Sequence, residues 1–409
     1  AHSLADFSKD SQSVYYLTDD GSEFQYLARY DISTGEREKV HEEDWDIWYA
    51  YFSYDGKYRV MGINEDGKTV LKVTDTETGK AIDFPKFEHG DVTSVNISRG
   101  GNQMAFYVGS SSAPSDLYVY DMKTESHRQL TNSLNPEIDA DHLVTAVVAR
   151  FKSFDGQEIP GIFYKSKLAS SDNPLPALVW VHGGPGGQSR QSYHPLIQYL
   201  VNHAYSSYAI NNRGSSGYGK TFYKMDDRKH GEGDLQDCVS AKSWLAEMDF
   251  IDGERIGIIG GSYGGFMVMA ALTSAPDVFD VGVNIFGVTN WLRTLKSIPP
   301  WWESFKDALY KEMGDPYQDS VRLHRISPLF HADKIVKPLM VLQGAQDPRV
   351  LQVESDEIVE AARANDIPVE YVLFEDEGHG FVKKENQIEA YSNILQFLDR
   401  YLKETPEKG

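Results

Sequence analysis

The chain of 409 residues contains a single cysteine, Cys238, so no disulfide can form within it. This excludes the small scaffolds that disulfides hold together, and we expect a reducing, cytoplasmic location. Paired cysteines and an H-E-x-x-H sequence are also absent, so the sequence offers no pattern for a metal site. It contains neither a Walker loop nor a dinucleotide fingerprint, and we expect no cofactor.

Basic residues and long apolar runs are also scarce. Lys and Arg number 40 against 61 Asp and Glu, which gives a formal net charge of −21. Such a charge repels nucleic acid and anionic membrane surfaces, so we expect neither as a partner. No apolar stretch predicts a membrane-spanning helix, and the start AHSLADFSKD lacks the pattern of a signal peptide, although a processed or truncated start would look the same.

A repeat occupies the first third of the chain. Its copies begin at Phe7, Phe52 and Ile97, which are 45 positions apart both times. A second landmark follows each start: YDISTGE, TDTETGK or YDMKTES. Short runs such as VYYL, YRVMGI and MAFYV lie between turn-forming residues and predict strands. Four strands in about 40–50 residues are typical of a β-propeller blade.

The repeat provides about three blades, fewer than the roughly four to eight of a closed propeller. We therefore predict a partial, all-β propeller-like domain over residues 1–142, ending in the turn-rich stretch LTNSLNPEIDAD. Open blade edges pair with other chains unless they are covered. We therefore also expect a homo-oligomer that assembles through these edges.

Predicted strands and helices alternate over residues 143–409. PALVWV, SSYAIN, RIGIIG, VGVNIF, PLMVLQ and VEYVLF are short apolar runs that predict buried strands, and helical patterns lie between them. NQIEAYSNILQFLDRYLK predicts a closing helix. This alternation predicts an α/β fold with a doubly wound, mostly parallel sheet. In such sheets, functional residues gather at the carboxyl ends of the strands.

Ser262 lies in IIGGSYGGF, between a predicted strand and a predicted helix. Gly260 and Gly264 frame it as G-x-S-x-G, and such small neighbours let strand and helix pass closely. The turn would expose the hydroxyl at a helix N-terminus, where negative charge is favoured. A glycine-rich turn without chemistry is the alternative, and the motif alone does not separate the two.

Asp347 in GAQDPRV and His379 in DEGHGF follow later predicted strands, at the edge of the sheet that carries Ser262. The order Ser, Asp, His is that of the α/β-hydrolase fold. In this arrangement the histidine takes the serine proton and the aspartate orients the histidine. Asp376 and Glu377 are rival orienting acids. We rank them lower because side chains so close to the histidine in the backbone rarely reach behind its ring.

An oxyanion site is expected where the strand PALVWV runs into HGGPGG. Backbone N–H groups in such a turn stabilise the tetrahedral oxyanion of acyl transfer. We assign one donor to the N–H of Tyr263, directly after the serine, and the other to the N–H of Gly184.

Further side chains are candidates for substrate binding: His182, Arg213, Trp301 and Trp302. Arg213 lies in NNRGSSGYG, where a tight turn is the alternative explanation. The tryptophans are suited to line an acyl or side-chain pocket, with core packing or a lid as the alternative.

VHGGPGG, NNRGSSGYG, GGSYGG, GAQDPRV and DEGHGF, in this order, resemble the catalytic domain of the prolyl oligopeptidase family of serine peptidases. The resemblance covers about residues 143–409 and is greatest to the acylaminoacyl-peptidase and dipeptidyl-peptidase-like branch. It implies that Ser262 is the nucleophile, His379 the base and Asp347 the acid, with a propeller before the catalytic domain. Some branches place a tyrosine of the oxyanion hole at the position of His182, so the histidine favours two backbone donors.

The family's propellers usually have more blades than this repeat provides. The resemblance therefore does not carry over the glutamates that hold a free N-terminus in dipeptidyl peptidases. We expect a serine hydrolase that cleaves a small peptide or acyl-ester substrate through an acyl-enzyme, in the manner of an oligopeptidase or acylaminoacyl peptidase. A carboxylesterase on short-chain esters is the alternative, because a truncated propeller would open the site. A binding module with a relic hydrolase is a third possibility, disfavoured by the intact Ser262, Asp347 and His379.

Overall fold

The computed structural model describes residues 2–88 and 90–403, which form two compact units. The first unit runs to Ala146 and includes Arg190–Pro195 and Ser216–Tyr223. The second unit contains the rest of the chain from Val147 onward. Within the described ranges, no helix combines the length and the apolar character needed to cross a membrane.

The first unit consists of antiparallel sheets, in the strand orders β1-β2-β3-β4, β5-β6-β7 and β11-β10-β9-β8. Their strands are β1 His2–Phe7, β2 Ser13–Thr18, β3 Tyr26–Asp31, β4 Arg37–His41, β5 Ile47–Phe52, β6 Tyr58–Glu65, β7 Lys68–Asp75, β8 Asp91–Ile97, β9 Gln103–Ser110, β10 Ala113–Asp121 and β11 Ser126–Gln129. Each copy of the sequence repeat begins at the last residue of its sheet's first strand. The predicted all-β character of this segment is confirmed.

The middle sheet shares its two faces between two apolar cores. Successive side chains of a strand point to opposite faces. Val60 of β6 therefore packs in a core with Met104 of β9, while its neighbour Met61 packs in another with Leu17 of β2. Burying each such side chain contributes about 1.5–3 kcal/mol. Packing on both faces therefore favours the placement of this sheet between the other two.

Two segments from later in the sequence also belong to the first unit. Arg190 donates to Asn64 Oδ1 at 2.8 Å and to Thr69 Oγ1 at 3.0 Å. The Thr221 N–H and hydroxyl both donate to the Glu23 carboxylate, at 2.6 and 2.9 Å. These bonds attach both segments to the blades by side-chain recognition.

The second unit contains a sheet of eight strands in the order β12-β13-β15-β14-β16-β17-β18-β19. The strands are β12 Val147–Lys152, β13 Glu158–Tyr164, β14 Leu175–Val181, β15 Ser206–Ile210, β16 Ile251–Gly261, β17 Gly282–Ile285, β18 Leu339–Gly344 and β19 Val369–Phe374. β12 and β13 pair antiparallel with their neighbours, whereas all pairs from β15 to β19 are parallel. The predicted α/β-hydrolase sheet is confirmed.

The helices of the chain are α1 Pro195–Asn202, α2 Lys220–Tyr223, α3 Gly233–Ala246, α4 Tyr263–Ser274, α5 Trp291–Lys296, α6 Lys306–Met313, α7 Ser320–Ile326, α8 Gln352–Arg363 and α9 Lys384–Leu398. Four of them, α1, α4, α8 and α9, pack on the two faces of the large sheet. Met340 and Leu342 of β18 share a buried core with α1 and α9, and the alternate residues Leu339 and Val341 share one with α4 and α8. The sheet is therefore doubly wound.

The parallel strands all end at one edge of this sheet. β14, β16, β18 and β19 end immediately or a few residues before His182, Ser262, Asp347 and His379, respectively. The topology alone therefore brings residues from distant parts of the sequence to a common edge.

Candidate active site

Ser262 occupies the turn between β16 and α4 with a strained backbone, at φ 59° and ψ −116°. Residues with side chains rarely adopt a positive φ, and strain of this kind clusters at functional sites. A Cβ at Gly260 would lie 2.7 Å from the Val181 carbonyl oxygen, and one at Gly264 would overlap the same oxygen. Only glycine at these positions lets strand and helix approach so closely.

Ser262, His379 and Asp347 form a continuous hydrogen-bonded series. His379 Nε2 lies 2.9 Å from Ser262 Oγ, and His379 Nδ1 lies 2.6 Å from Asp347 Oδ2. Because a carboxylate only accepts, Nδ1 carries the proton and Nε2 is left to accept from the serine hydroxyl. The imidazole is therefore in the tautomer that a general base needs.

Asp347 is itself fixed by the backbone. Its Oδ1 accepts hydrogen bonds from the N–H groups of Arg349 at 2.8 Å and Val350 at 3.0 Å. The buried carboxylate thus has one oxygen bound to the backbone and the other directed at His379. The Phe286 ring packs against the imidazole, with the ring centres 4.7 Å apart.

The N–H groups of Tyr263 and Gly184 have no hydrogen-bond acceptor within the described part of the chain. Both residues line the space in front of Ser262. His182 Nδ1 lies 2.8 Å from the Gly183 carbonyl oxygen. In a planar trans peptide, the C=O and N–H groups point in opposite directions, so the N–H of Gly184 points away from His182.

His182 thus bonds the peptide plane that carries the Gly184 N–H, and it is not among the lining residues of the cavity beside Ser262. Burial lowers the pKa of its imidazole, against the effect of the hydrogen bond to Gly183, and the ring is neutral near pH 7. Nε2 lies 2.8 Å from Ser215 Oγ, and the Ser215 hydroxyl donates to the Asn212 carbonyl oxygen at 2.6 Å. Both of its ring nitrogens thus have partners within the protein, and the substrate-binding role of His182 stays a prediction.

A cavity of about 390 Å³ opens beside Ser262, within the usual size range for ligand pockets. Its lining is mostly apolar and includes Val288, Trp291, Leu295, Ile298, Trp302 and Leu309. Arg349 adds a positive charge to the wall, with its guanidinium 5.5 Å from the centre of the Trp302 ring. The cavity suits a large uncharged side chain next to the serine hydroxyl.

A sequence model of the prolyl oligopeptidase family matches residues 191–405, which is more than half of the chain. The chain belongs to the prolyl oligopeptidase family. The resemblance inferred from the five motifs is thereby confirmed.

Its relatives include dipeptidyl aminopeptidase BIII of Pseudoxanthomonas mexicana, which is 34% identical over 95% of this chain and 57% of the relative. The acylamino-acid-releasing enzyme of Arabidopsis thaliana is 31% identical over 58% of the chain and 32% of that enzyme. Among solved structures, a Mycobacterium tuberculosis puromycin-hydrolyzing peptidase superposes with a TM-score of 0.89 at 23% identity, over 100% of this chain and 63% of that one. The chain thus spans little more than half the length of the relatives that match nearly all of it, 57% for the bacterial aminopeptidase.

Of the two candidate tryptophans in this prolyl oligopeptidase family member, Trp302 lines the cavity and Trp301 does not. Trp301 is 57% exposed and stacks on Trp302, with the ring centres 5.9 Å apart. It therefore supports the wall of the cavity from outside.

Arg213, another candidate for substrate contact, is held in a structural ion-pair network. Its guanidinium binds Asp155 at 2.9 and 3.1 Å and Asp237 at 2.8 and 2.9 Å. Burial alone would lower its pKa, but the two carboxylates raise it above the usual range. The donors are occupied by carboxylates, and Arg213 is not among the cavity's lining residues.

Asp376 and Glu377 turn away from His379. Asp376 binds the Lys383 ammonium group and accepts from Asn386 Nδ2 at 2.9 Å. Glu377 accepts from the Lys383 N–H at 2.9 Å and from Asn386 Nδ2 at 2.9 Å. These rival acids brace the histidine loop, and Asp347 is the carboxylate that contacts the imidazole.

Asp234 was not among the candidates from sequence, yet it binds a predicted oxyanion residue. The Tyr263 hydroxyl donates to Asp234 Oδ2 at 2.5 Å. The carboxylate also accepts from the N–H groups of Gly231, Glu232 and Leu235 at 2.9–3.1 Å. Burial raises the pKa of Asp234 to about 6, against the lowering effect of these bonds. No motif marks this contact, which joins positions 29 residues apart.

Two further buried groups lie near Tyr263. His230 Nε2 is 3.3 Å from Asp226 Oδ2, and the His230 ring lies 5.7 Å from that of Tyr263. Burial lowers the pKa of His230 to about 3, and burial with the nearby charges of Asp234 and Glu312 raises that of Asp226 to about 9. Both groups are therefore neutral at pH 7. Across the described residues, no three His, Cys, Asp or Glu side chains are grouped to hold a metal ion.

Proposed function

We propose that this protein is a serine peptidase that cleaves peptides after a large apolar residue, through an acyl-enzyme on Ser262. The observation that carries the proposal is the series Ser262–His379–Asp347, joined at 2.9 and 2.6 Å beside an apolar cavity. The peptidase names of the relatives support the same class of reaction.

In the first half of the proposed reaction, Ser262 Oγ attacks the carbonyl carbon of the scissile bond. His379 Nε2 takes the hydroxyl proton as the new C–O bond forms. The negative charge that develops on the carbonyl oxygen is stabilised by the N–H groups of Tyr263 and Gly184. Asp347 stabilises the imidazolium and keeps its orientation.

The tetrahedral intermediate then collapses. The C–N bond breaks, and His379 gives its proton to the leaving amine, which yields the acyl-enzyme. Water enters, loses a proton to His379 and attacks the ester carbonyl. Collapse of this second intermediate returns the proton to Ser262 Oγ and releases the acid.

The proposed substrate preference follows from the cavity. A volume of about 390 Å³ walled by Trp291, Leu295, Trp302 and Leu309 favours a phenylalanine, leucine or methionine side chain over alanine. Fully burying a large apolar side chain contributes about 1.5–3 kcal/mol, so phenylalanine is expected to be preferred over alanine by one to two orders of magnitude.

The carboxylesterase alternative loses support from the comparisons, because the related enzymes named above are peptidases and releasing enzymes for acylated amino acids. Ester cleavage remains an expected side reaction, since an alkoxide or phenolate leaves more easily than an amine.

Domain division, assembly and location belong to the same proposal. Residues 1–142 would form about three blades and residues 143–409 the catalytic domain. Residue 1, residue 89 and residues 404–409 of these ranges lie outside the described chain. We propose a homo-oligomer that pairs exposed strand edges, which a monomeric mass in light scattering at micromolar concentration would contradict. The single cysteine supports the cytoplasm as the site of action.

The test is a panel of acetylated phenylalanyl, leucyl, alanyl and prolyl anilides, beside p-nitrophenyl acetate, with wild type and Ser262→Ala. We expect the phenylalanyl anilide to be cleaved fastest and Ser262→Ala to lose about 10⁴-fold or more in kcat without loss of thermal stability. Ester cleavage without any anilide cleavage would instead establish the esterase. Activity that survives in Ser262→Ala would overturn the assignment of the nucleophile.

A further inference from the structure

We propose that Asp234 is a positioning residue for the oxyanion donor at Tyr263 and that it acts through the tyrosine hydroxyl. The inference rests on the proposed function, because it takes the Tyr263 N–H as a donor to the oxyanion. It assigns a role to a buried carboxylate that neither contacts Ser262 nor belongs to any of the five motifs.

Tyr263 is held at two ends. At its backbone end, the preceding carbonyl of Ser262 accepts from the Phe266 N–H at 3.0 Å, which fixes the peptide plane relative to α4. At the other end, the side chain is only 2% exposed and its hydroxyl reaches Asp234 at 2.5 Å. The ring between the two ends packs against Phe266 and Trp291. The first residue of α4 is thereby tied to a point outside its own helix.

Asp234 makes a rigid anchor for this bond. It is fully buried, and both of its oxygens are engaged by backbone N–H groups at the start of α3. Orphan N–H groups at a helix N-terminus stabilise a carboxylate, and a hydrogen bond to an ionised acceptor is roughly twice as strong as a neutral one. The position of the Tyr263 ring is therefore set by α3 and not only by α4.

The oxyanion N–H is sensitive to such an anchor. The N–H of Tyr263 has no partner within α4, as is usual for the first N–H groups of a helix. The bond from Phe266 to Ser262 sets the tilt of its peptide plane, so the position of this N–H depends on where the start of α4 lies. A donor of this kind acts only within about 2.7–3.1 Å of the oxyanion. Loss of the hydroxyl bond would let the start of α4 shift slightly. This shift would reduce the stabilisation of the transition state more than the binding of the substrate.

The experiment compares Tyr263→Phe, Asp234→Asn and the double variant with a matched control, Tyr205→Phe. Tyr205 is also buried and also donates to an aspartate, Asp399 Oδ1, at 2.9 Å, but it is not among the residues that line the cavity at Ser262. The readouts are kcat and KM for the phenylalanyl anilide and the inhibition constant of a phenylalanyl trifluoromethyl ketone. The hemiketal oxygen of that inhibitor occupies the oxyanion position.

Outright loss of an oxyanion donor costs about 10²–10³ in kcat, so we expect its displacement in Tyr263→Phe to cost about 10-fold. KM should stay within about 2-fold, and the ketone should bind about 10-fold more weakly, because transition-state analogues follow kcat. Asp234→Asn should lose less, since the amide still bonds the hydroxyl. The double variant should lose no more than Tyr263→Phe, because the two residues act as one unit.

Unchanged kcat in both single variants would overturn the positioning role, as would a rise in KM alone or an equal loss in Tyr205→Phe. If Tyr263→Phe fails to fold, Asp234→Ala, which removes the acceptor of the tyrosine hydroxyl, carries the same test. Ser262→Ala in the same series separates the two proposals. Normal activity in that variant, or inactive wild type, would sink the proposed function and this inference together, whereas its inactivity beside a fully active Tyr263→Phe would sink only this inference.

Discussion

The loops that carry Ser262 and His379 are held in place by different forces. The serine turn is fixed by steric exclusion, because strand, helix and the Val181 carbonyl leave no room for a Cβ at Gly264. The histidine loop is fixed by charge, because Asp347 binds the imidazole and Glu377 binds backbone N–H groups beyond it. We therefore expect the serine turn to lose stability when an atom is added. We expect the histidine loop to lose its catalytic geometry when a charge is removed.

The largest expected effect is on the histidine side. Asp347→Asn should lower kcat by about 10⁴-fold, because an amide stabilises the wrong imidazole tautomer. Steady-state kinetics on the phenylalanyl anilide measures this. The matched control is Asp376→Asn, which removes a carboxylate from an exposed pair with Lys383 and should leave kcat within about 2-fold. An equal loss in both variants would mean that Asp376 helps to orient His379.

The next effect separates steric from electrostatic support. Gly264→Ala should lower the free energy of unfolding by about 3 kcal/mol, because the added methyl overlaps the Val181 carbonyl. Its control is Gly378→Ala in the histidine loop, where a Cβ would meet only the Gln346 carbonyl oxygen, at an ordinary 3.7 Å. Urea unfolding of both variants measures the difference. Equal free energies of unfolding for Gly264→Ala and Gly378→Ala would contradict the steric support of the serine turn.

A smaller effect is expected from Glu377→Gln. Burial alone would raise the pKa of Glu377, but hydrogen bonds from Asn386, Lys383 and Val382 lower it, so the loop binds the ionised form. Weakening these charge-assisted bonds should cost about 1.5 kcal/mol of stability and lower kcat by about 5-fold as His379 gains freedom. Unfolding curves and kcat values report the two effects. A loss of stability with kcat unchanged would show that the brace supports the fold but not the imidazole.

The last effect concerns pH. The folded state raises the pKa of Asp226 to about 9, so its contribution to stability is present below the unfolded pKa near 4 and is lost as the pH rises toward 9. Asp226→Asn has no proton to lose, so its free energy of unfolding should gain about 1.4 kcal/mol on that of wild type with each pH unit between about 5 and 8. Urea unfolding across this range tests it. For Glu377, whose pKa is lowered, the sign is opposite, and its stabilisation should be lost as the pH falls below the ordinary glutamate value of 4.5.

The sequence predicted the architecture of the site well, because its chemistry follows strand ends. Apolar runs that predict strands end shortly before Ser262, Asp347 and His379. Because these strands are parallel, the three residues meet at one edge of the sheet. Periodicity likewise identified β6 and β9 in the blades and the closing helix α9.

What sequence reasoning missed are contacts that no local pattern encodes. The bond from Tyr263 to Asp234 joins two elements whose spacing depends on the packing of α3 against α4. Arg213 has the residue type of a substrate clamp, but its carboxylate partners come from distant positions. Glu377 lies two residues before His379 in the sequence, and nothing local predicts that its side chain bonds the backbone at the start of α9.

The segments Arg190–Pro195 and Ser216–Tyr223 bear on any attempt to dissect the molecule. A chain shortened to begin at Val147 would keep Arg190 and Thr221 but would lose Asn64, Thr69 and Glu23, their partners. The first of these segments follows only two residues after the end of the HGGPGG turn, so its release would loosen the chain beside Gly184. A fragment that begins at the sequence boundary would therefore lack part of a folded unit. Recombination between relatives should be tolerated best where both segments and the blades come from the same parent.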